Sequence, residues 1–218
     1  MDIAKKAIRN TDGELISYRF IRNNPNNSRL CVMLPGLGYS TDQPLFYFAT
    51  GLFFDKGFDV LHIQYEYEVA SFTKRGREEQ FRLISDDVEK VMEEVVPVAK
   101  YTNIYMMAKS IGTGGLAHLL EKSKTKLEIT KVIWLTPLLQ VDMLYHHLQK
   151  CWIESLLLIG DKDKCFVKQR VSGLAAKSNF KVQIFNGTDH SLEHKNGVYQ
   201  SIDCLKAVMK EIELFTKE

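Results

Sequence analysis

The chain has 218 residues, 45% of them hydrophobic and 26% charged, with 29 Lys and Arg against 27 Asp and Glu for a formal net charge of +2. Such a composition describes an ordinary globular protein, read as one domain over 1–218 with a sizeable core, and excludes disordered, collagen-like and coiled-coil classes. A net charge of +2 says little about partners, and no nucleic-acid partner is expected. Runs such as Lys122, Lys124 and Lys126, or Lys162, Lys164 and Lys168, have no interleaved aromatics and read as solvated surface. Met1 to Asn10 contains no apolar signal core, and no later run approaches the ~18 apolar residues of a membrane span, so a cytoplasmic protein without a membrane partner is expected. Cys31, Cys151, Cys165 and Cys204 are far apart and lack paired Cys-x-x-Cys spacing, so free thiols are expected, with no metal and no cofactor.

In chain order, Lys6 to Ile21 reads as two strands around the turn signal Asp12-Gly13, an antiparallel hairpin. After the turn formers from Asn23 to Ser28, the apolar run Leu30 to Leu34 reads as a buried strand emptying into the glycine loop Pro35-Gly36-Leu37-Gly38. Asp42 is placed to cap a helix that continues to about Lys56 and stops at Gly57. Phe58 to Tyr65 is strand-like and Glu66 to Arg75 reads as loop. Phe81, Ile84, Val88, Val91, Met92 and Val95 then recur at helical spacing within Glu78 to Val98. Buried strands follow at Ile104 to Ala108, Lys131 to Leu135, Leu156 to Ile159 and Lys181 to Phe185. A helix follows Ala108, another segment up to Lys150 is compatible with a helix, and Val198 to Phe215 closes the chain as a helix. Apolar strands alternating with helices imply a mostly parallel sheet covered on both faces, with the hairpin at one edge.

In such sheets ligands bind outside the carboxyl ends of the strands. Pro35-Gly36, Ser110, Asp163 and His190 all fall just after predicted strand ends. Around Ser110 the order strand, Ala-Lys-Ser-Ile-Gly, helix fits a sharp elbow, because Ala108 and Gly112 are small enough for the two backbones to approach closely. A Ser followed in the chain by Asp and then His supplies a nucleophile, a base to take its proton, and a carboxylate to fix the base's tautomer. Asp161 competes with Asp163 for the acid role.

These residues make nearly the whole chain resemble the α/β-hydrolase family, in particular its small, lid-poor serine esterases and dienelactone-hydrolase-like members. The resemblance implies an eight-stranded, mostly parallel sheet with helices on both faces. It casts Ser110 as nucleophile, Asp163, in Gly-x-x-Asp, as acid and His190 as base. The oxyanion hole it implies is made by the backbone N–H groups of Leu37 and Ile111. The sequence departs from the family pattern in three places. Ala108 stands where Gly is commoner, Pro35-Gly36 stands for the usual His-Gly, and Lys109 adjoins the nucleophile. Lys109 reads either as a solvated lysine or as a charge that favours anionic acyl groups or assists Ser110 electrostatically.

Among the remaining candidates, Tyr39, Met143 and Tyr145 could line an acyl pocket. His62 and His118 read as packing or surface residues and Asp189 as a turn residue. His146 and His147 fall in the segment where the family inserts lids, and Glu193 with His194 lacks a third metal ligand. That lid segment is short, which implies a minimal cap and an open, shallow site suited to a small or exposed acyl group. The expectation is a serine hydrolase of the carboxylesterase or thioesterase type, acting on a small-molecule ester or thioester through an acyl-enzyme on Ser110. Its activity should rise with pH as the base loses its proton. The alternatives are a non-catalytic binding protein on the same fold, or acyl transfer or C–C hydrolysis by the same triad.

Overall fold

A computed structural model describes residues 2–10, 13–65, 67, 69–97, 100–122 and 128–217. Within them eight strands form a single sheet: β1 (Asp2–Arg9), β2 (Leu15–Arg22), β3 (Arg29–Leu34), β4 (Asp59–Tyr65), β5 (Asn103–Lys109), β6 (Ile129–Leu135), β7 (Glu154–Gly160) and β8 (Phe180–Phe185). Their order across the sheet is β1-β2-β4-β3-β5-β6-β7-β8. β1 and β2 pair antiparallel, as do β2 and β4, and every other pair is parallel.

The strand sequences match these positions. β3, β5 and β7 lie inside the sheet and are buried almost throughout, which their unbroken apolar runs require. β2 alternates, with Ile16, Tyr18 and Phe20 buried between more exposed neighbours. Edge strand β1 is largely exposed and carries Lys5 and Lys6, charges that discourage pairing with another chain.

Seven helices cover the sheet: α1 (Pro44–Asp55), α2 (Val69–Lys74), α3 (Arg77–Val95), α4 (Ile111–Lys122), α5 (Asp142–Lys150), α6 (Lys168–Ala175) and α7 (Val198–Phe215). They divide the apolar residues into two layers. Residues of α1 and α7 pack with Met33, Tyr105 and Ile133 on one face, whereas α3, α4, α5 and α6 pack with Val32, Met106 and Trp134 on the other. No helix among the described residues is long and apolar enough to cross a membrane.

The structure corrects several sequence expectations. Glu66 to Arg75 is not all loop, because Val69–Lys74 forms a short helix whose one buried side chain, Phe72, leaves no apolar period to detect. Asp42 does not cap α1. Pro44 occupies the first helical position, which puts the N-cap at Gln43, and Asp42 instead pairs with Arg19 at 2.6 Å. α3 ends at Val95, and Val98 lies outside the described residues, as do Asp12 of the predicted hairpin turn and Lys124 and Lys126 of one basic run. α6 leaves no apolar period in the sequence, since its buried residues are only Val171 and Leu174. Cys31, Cys151, Cys165 and Cys204 are all free thiols.

Candidate active site

The parallel strands β3, β5, β6, β7 and β8 deliver five loops to one end of the sheet. β5 runs directly into α4, and Ser110 between them sits at φ 52°, a conformation that side chains with a Cβ rarely adopt. Two contacts hold the turn in that shape. The Ser110 amide donates to the Leu135 carbonyl of β6 at 3.1 Å, and the Thr113 amide donates back to the Ser110 carbonyl at 3.0 Å. Small residues around Ser110 are a steric demand. A Cβ on Gly112 would lie 2.6 Å from the Pro35 carbonyl oxygen and 2.9 Å from that of Leu34, and one on Gly36 would lie 3.1 Å from the Ser110 Cβ. The glycine loop therefore passes directly against the serine.

Ser110, His190 and Asp163 come together in one hydrogen-bonded line. His190 Nε2 lies 2.8 Å from Ser110 Oγ, and His190 Nδ1 lies 2.9 and 2.8 Å from Asp163 Oδ1 and Oδ2. A carboxylate only accepts, so Nδ1 carries the proton and the Nε2 lone pair faces the serine hydroxyl. The Asp163 side chain is fully buried and also accepts from the Cys165 amide at 2.8 Å, which fixes its plane.

Asp161 is not in this line. It accepts from the Gly187 amide at 2.7 Å and braces the loop after β8. Asp189 accepts from the Ser191 and Glu193 amides and shapes the turn after His190. The one three-residue group with metal-ligand spacing among the described residues is Asp163, Cys165 and His190. Two of its members are already bonded to each other, and burial pushes the Cys165 thiol up to about 11, away from the thiolate a metal requires.

Leu37 and Ile111, with their backbone amides, lie on the two segments that meet at the serine, the glycine loop and the start of α4. Leu37 lies in a turn closed by reciprocal Gly36 and Tyr39 backbone bonds, each 3.2 Å, and Ile111 opens α4, where the first helical amides have no intrahelical acceptor. Among the described residues neither amide has a hydrogen-bond acceptor.

The remaining candidates separate. Tyr39 borders a cavity of about 370 Å³ together with Pro44, Leu45, Leu192, Val198 and Ile202, beside the loop that carries His190. Its hydroxyl accepts from the Leu45 amide at 3.2 Å, and burial pushes its pKa up to about 12. Tyr145 and Met143 are not on that wall. Tyr145 lies under the Arg170 guanidinium at 5.1 Å and joins α5 to α6, and Met143 packs on the core of the face opposite α1 and α7.

His62 is buried, with Nε2 2.8 Å from Thr50 Oγ1 and Nδ1 accepting from Arg19 at 3.1 Å. Burial and then the Arg19 charge bring its pKa down to about 3, so it remains a neutral packing group. His147 pairs with Glu121 at 2.6 Å near His118, and the His194 amide donates to Ser201 Oγ at 2.9 Å.

Lys109 overturns the reading of a solvated lysine. It is 1% exposed, and its ammonium donates to Thr136 Oγ1 at 2.7 Å and to the His190 carbonyl at 2.6 Å, over the Tyr39 ring at 4.7 Å. A group enclosed in this way cannot meet an anionic acyl group in solvent. Between β6 and β7 only α5 intervenes, so the cap is minimal.

The chain belongs to the alpha/beta hydrolase family, whose domain model matches residues 28–217. A comparison with curated proteins found no significant sequence match. Solved structures share the fold over nearly the whole chain. An alpha-beta serine hydrolase homologue from Coxiella burnetii superposes with a TM-score of 0.71 at 13% identity, covering 96% of this chain and 97% of that one. The esterase Pf2001 from Pyrococcus furiosus gives 0.72 at 13%, covering 98% and 91%. Est1E from Butyrivibrio proteoclasticus gives 0.70 at 14%, covering 97% and 98%. Family membership supports a hydrolase.

Proposed function

We propose that the protein is a cytoplasmic serine hydrolase that cleaves a carboxylic ester or thioester of a small or exposed acyl group. The observation that carries this reading is the line Ser110 Oγ, His190 Nε2, His190 Nδ1 and Asp163, with each link at 2.8 to 2.9 Å. His190 takes the Ser110 proton as Oγ attacks the carbonyl carbon, and the Leu37 and Ile111 amides receive the charge that develops on the carbonyl oxygen. The imidazolium, held by Asp163, then protonates the leaving alcohol or thiol. Water then loses a proton to the same nitrogen as its oxygen attacks the acyl carbon, and His190 returns that proton to Ser110 Oγ as the carboxylic acid leaves. The minimal cap favours an acyl group that does not need to be enclosed. The partly apolar cavity beside Tyr39, bordered by residues that follow His190, offers a surface for it.

Labelling with a fluorophosphonate probe tests this directly. The intact protein should be modified on Ser110 and Ser110→Ala should not, while hydrolysis of short-chain p-nitrophenyl esters or acyl thioesters falls by about 10⁵-fold or more in that variant. A wild-type protein inert to the probe and to both substrate panels would overturn the reading.

A further inference from the structure

The mechanism above leaves the buried ammonium at the elbow without a role. Lys109 is the residue before the nucleophile, and its ammonium reaches 81 residues along the chain to the carbonyl of the base itself. Its other acceptor, Thr136, directly follows β6 in a left-handed conformation at φ 42°, and the Thr136 amide donates to the Leu158 carbonyl of β7 at 2.8 Å. One side chain therefore ties the end of β5, the end of β6 and the loop after β8, the places from which nucleophile and base are presented. We propose that Lys109 is a positioning residue for hydrolysis: by holding the His190 carbonyl and Thr136 together, its ammonium sets the base against Ser110. This rests on the serine-hydrolase reading.

The geometry distinguishes this role from a filler of space. An apolar side chain of the same length would occupy the volume but would leave the His190 carbonyl without its donor, and apart from the His190 ring's own bonds to Asp163 and Ser110 the backbone from Asp189 to Glu193 is hydrogen-bonded only within itself among the described residues. Burying an ammonium against neutral acceptors is costly, and burial brings Lys109 down to about 8 against the pull of Asp163, Asp189, Cys165 and Glu193. A residue kept for stability alone would more readily be apolar. Misplacement of a reacting group by about 1 Å can cost 10²-fold in rate, so a clamp on the base's own backbone carries leverage out of proportion to two hydrogen bonds.

The test uses Lys109→Met and Thr136→Val in the full chain. Lys109→Met should keep or raise the melting temperature, lower kcat and the fluorophosphonate labelling rate by about 10²-fold, and change KM less than about threefold. Thr136→Val, which removes one acceptor and leaves the lysine, should slow both by about tenfold, and the double variant should be no worse than Lys109→Met. A folded Lys109→Met that labels and turns over at the wild-type rate overturns the proposal. If Lys109→Met does not fold, Thr136→Val decides, and a wild-type labelling rate there overturns it. If the wild-type protein is itself inert, the hydrolase reading is what has failed. The clamp is then read from the downfield proton NMR signal of His190 Nδ1–H, which should shift or broaden in Lys109→Met and whose constancy overturns the clamp.

Discussion

Asp59 and Lys109 are buried charges on the two strands that flank β3, one at the start of β4 and the other at the end of β5, and they are held in opposite ways. Asp59 accepts from Tyr101 Oη at 2.6 Å, the Asn23 amide at 2.7 Å, Asn27 Nδ2 at 3.0 Å and Lys100 Nζ at 3.3 Å. Burial works to raise its pKa, but these donors outweigh burial and the carboxyl is held below its ordinary value. The fold stabilises that charge. Lys109 has neutral acceptors and an aromatic face, and burial dominates, so the fold works against its charge. Both groups are shifted downward, yet in the acid this marks a charge the fold favours and in the base one that burial disfavours. At the amino end of the parallel strands the polar network closes the structure, whereas at the carboxyl end it is bent toward presenting Ser110 and His190.

Substitutions at the two ends should therefore fail differently. At the carboxyl end, Asp163→Asn should lower kcat by about 10⁴-fold with little change in melting temperature, because the wrong imidazole tautomer would face Ser110. Asp161→Asn, which keeps an oxygen for the Gly187 amide, should change kcat less than about threefold. Steady-state kinetics on one ester checks both. Equal losses in the two variants would break the assignment of the acid. At the amino end, Asp59→Ala should leave kcat within about twofold and cost roughly 4 kcal/mol of stability, because it strands buried donors of Tyr101, Asn23 and Asn27. Urea unfolding measures it, and a large loss of activity with intact stability would erase the contrast between the two ends.

The sequence shows these ends unequally. Strands β3 and β5 to β8, and the positions of Ser110, Asp163 and His190 after their ends, are legible because buried parallel strands are unbroken apolar runs and ligands gather beyond their C-termini. The choice of Asp163 over Asp161 is only partly legible, since two carboxylates two residues apart differ by the direction in which a turn aims them. Lys109 is not legible at all. Its acceptors lie 27 and 81 residues further along the chain, and nothing in Ala-Lys-Ser distinguishes a lysine that turns inward from one in water. The helix Val69–Lys74 is illegible for a simpler reason: one buried Phe72 makes no period.

The finest test of the contrast is how stability changes with pH. Asp59 is lowered from 3.8, so its contribution is complete above that value and is lost as pH falls toward its lower folded value. Lys109 is at about 8 in the fold and at its ordinary 10.5 when unfolded, so between these values the unfolded chain holds the proton more often. Stability from this group therefore rises with pH across that window, by on the order of 3 kcal/mol at most, and the penalty is fully present below about pH 8. Tyr39 at about 12 and Cys165 at about 11, the neighbouring groups that could confound the window from within the fold, lose their protons above it. The remaining groups are common to wild type and variant, so the difference in unfolding free energy between wild type and Lys109→Met reads the removed ammonium and what it touches. That difference should narrow steadily from pH 8 to 10.5 in favour of the wild type. If it is flat, Lys109 is not a strained buried ammonium, and the two ends of the sheet hold their charges in the same way after all.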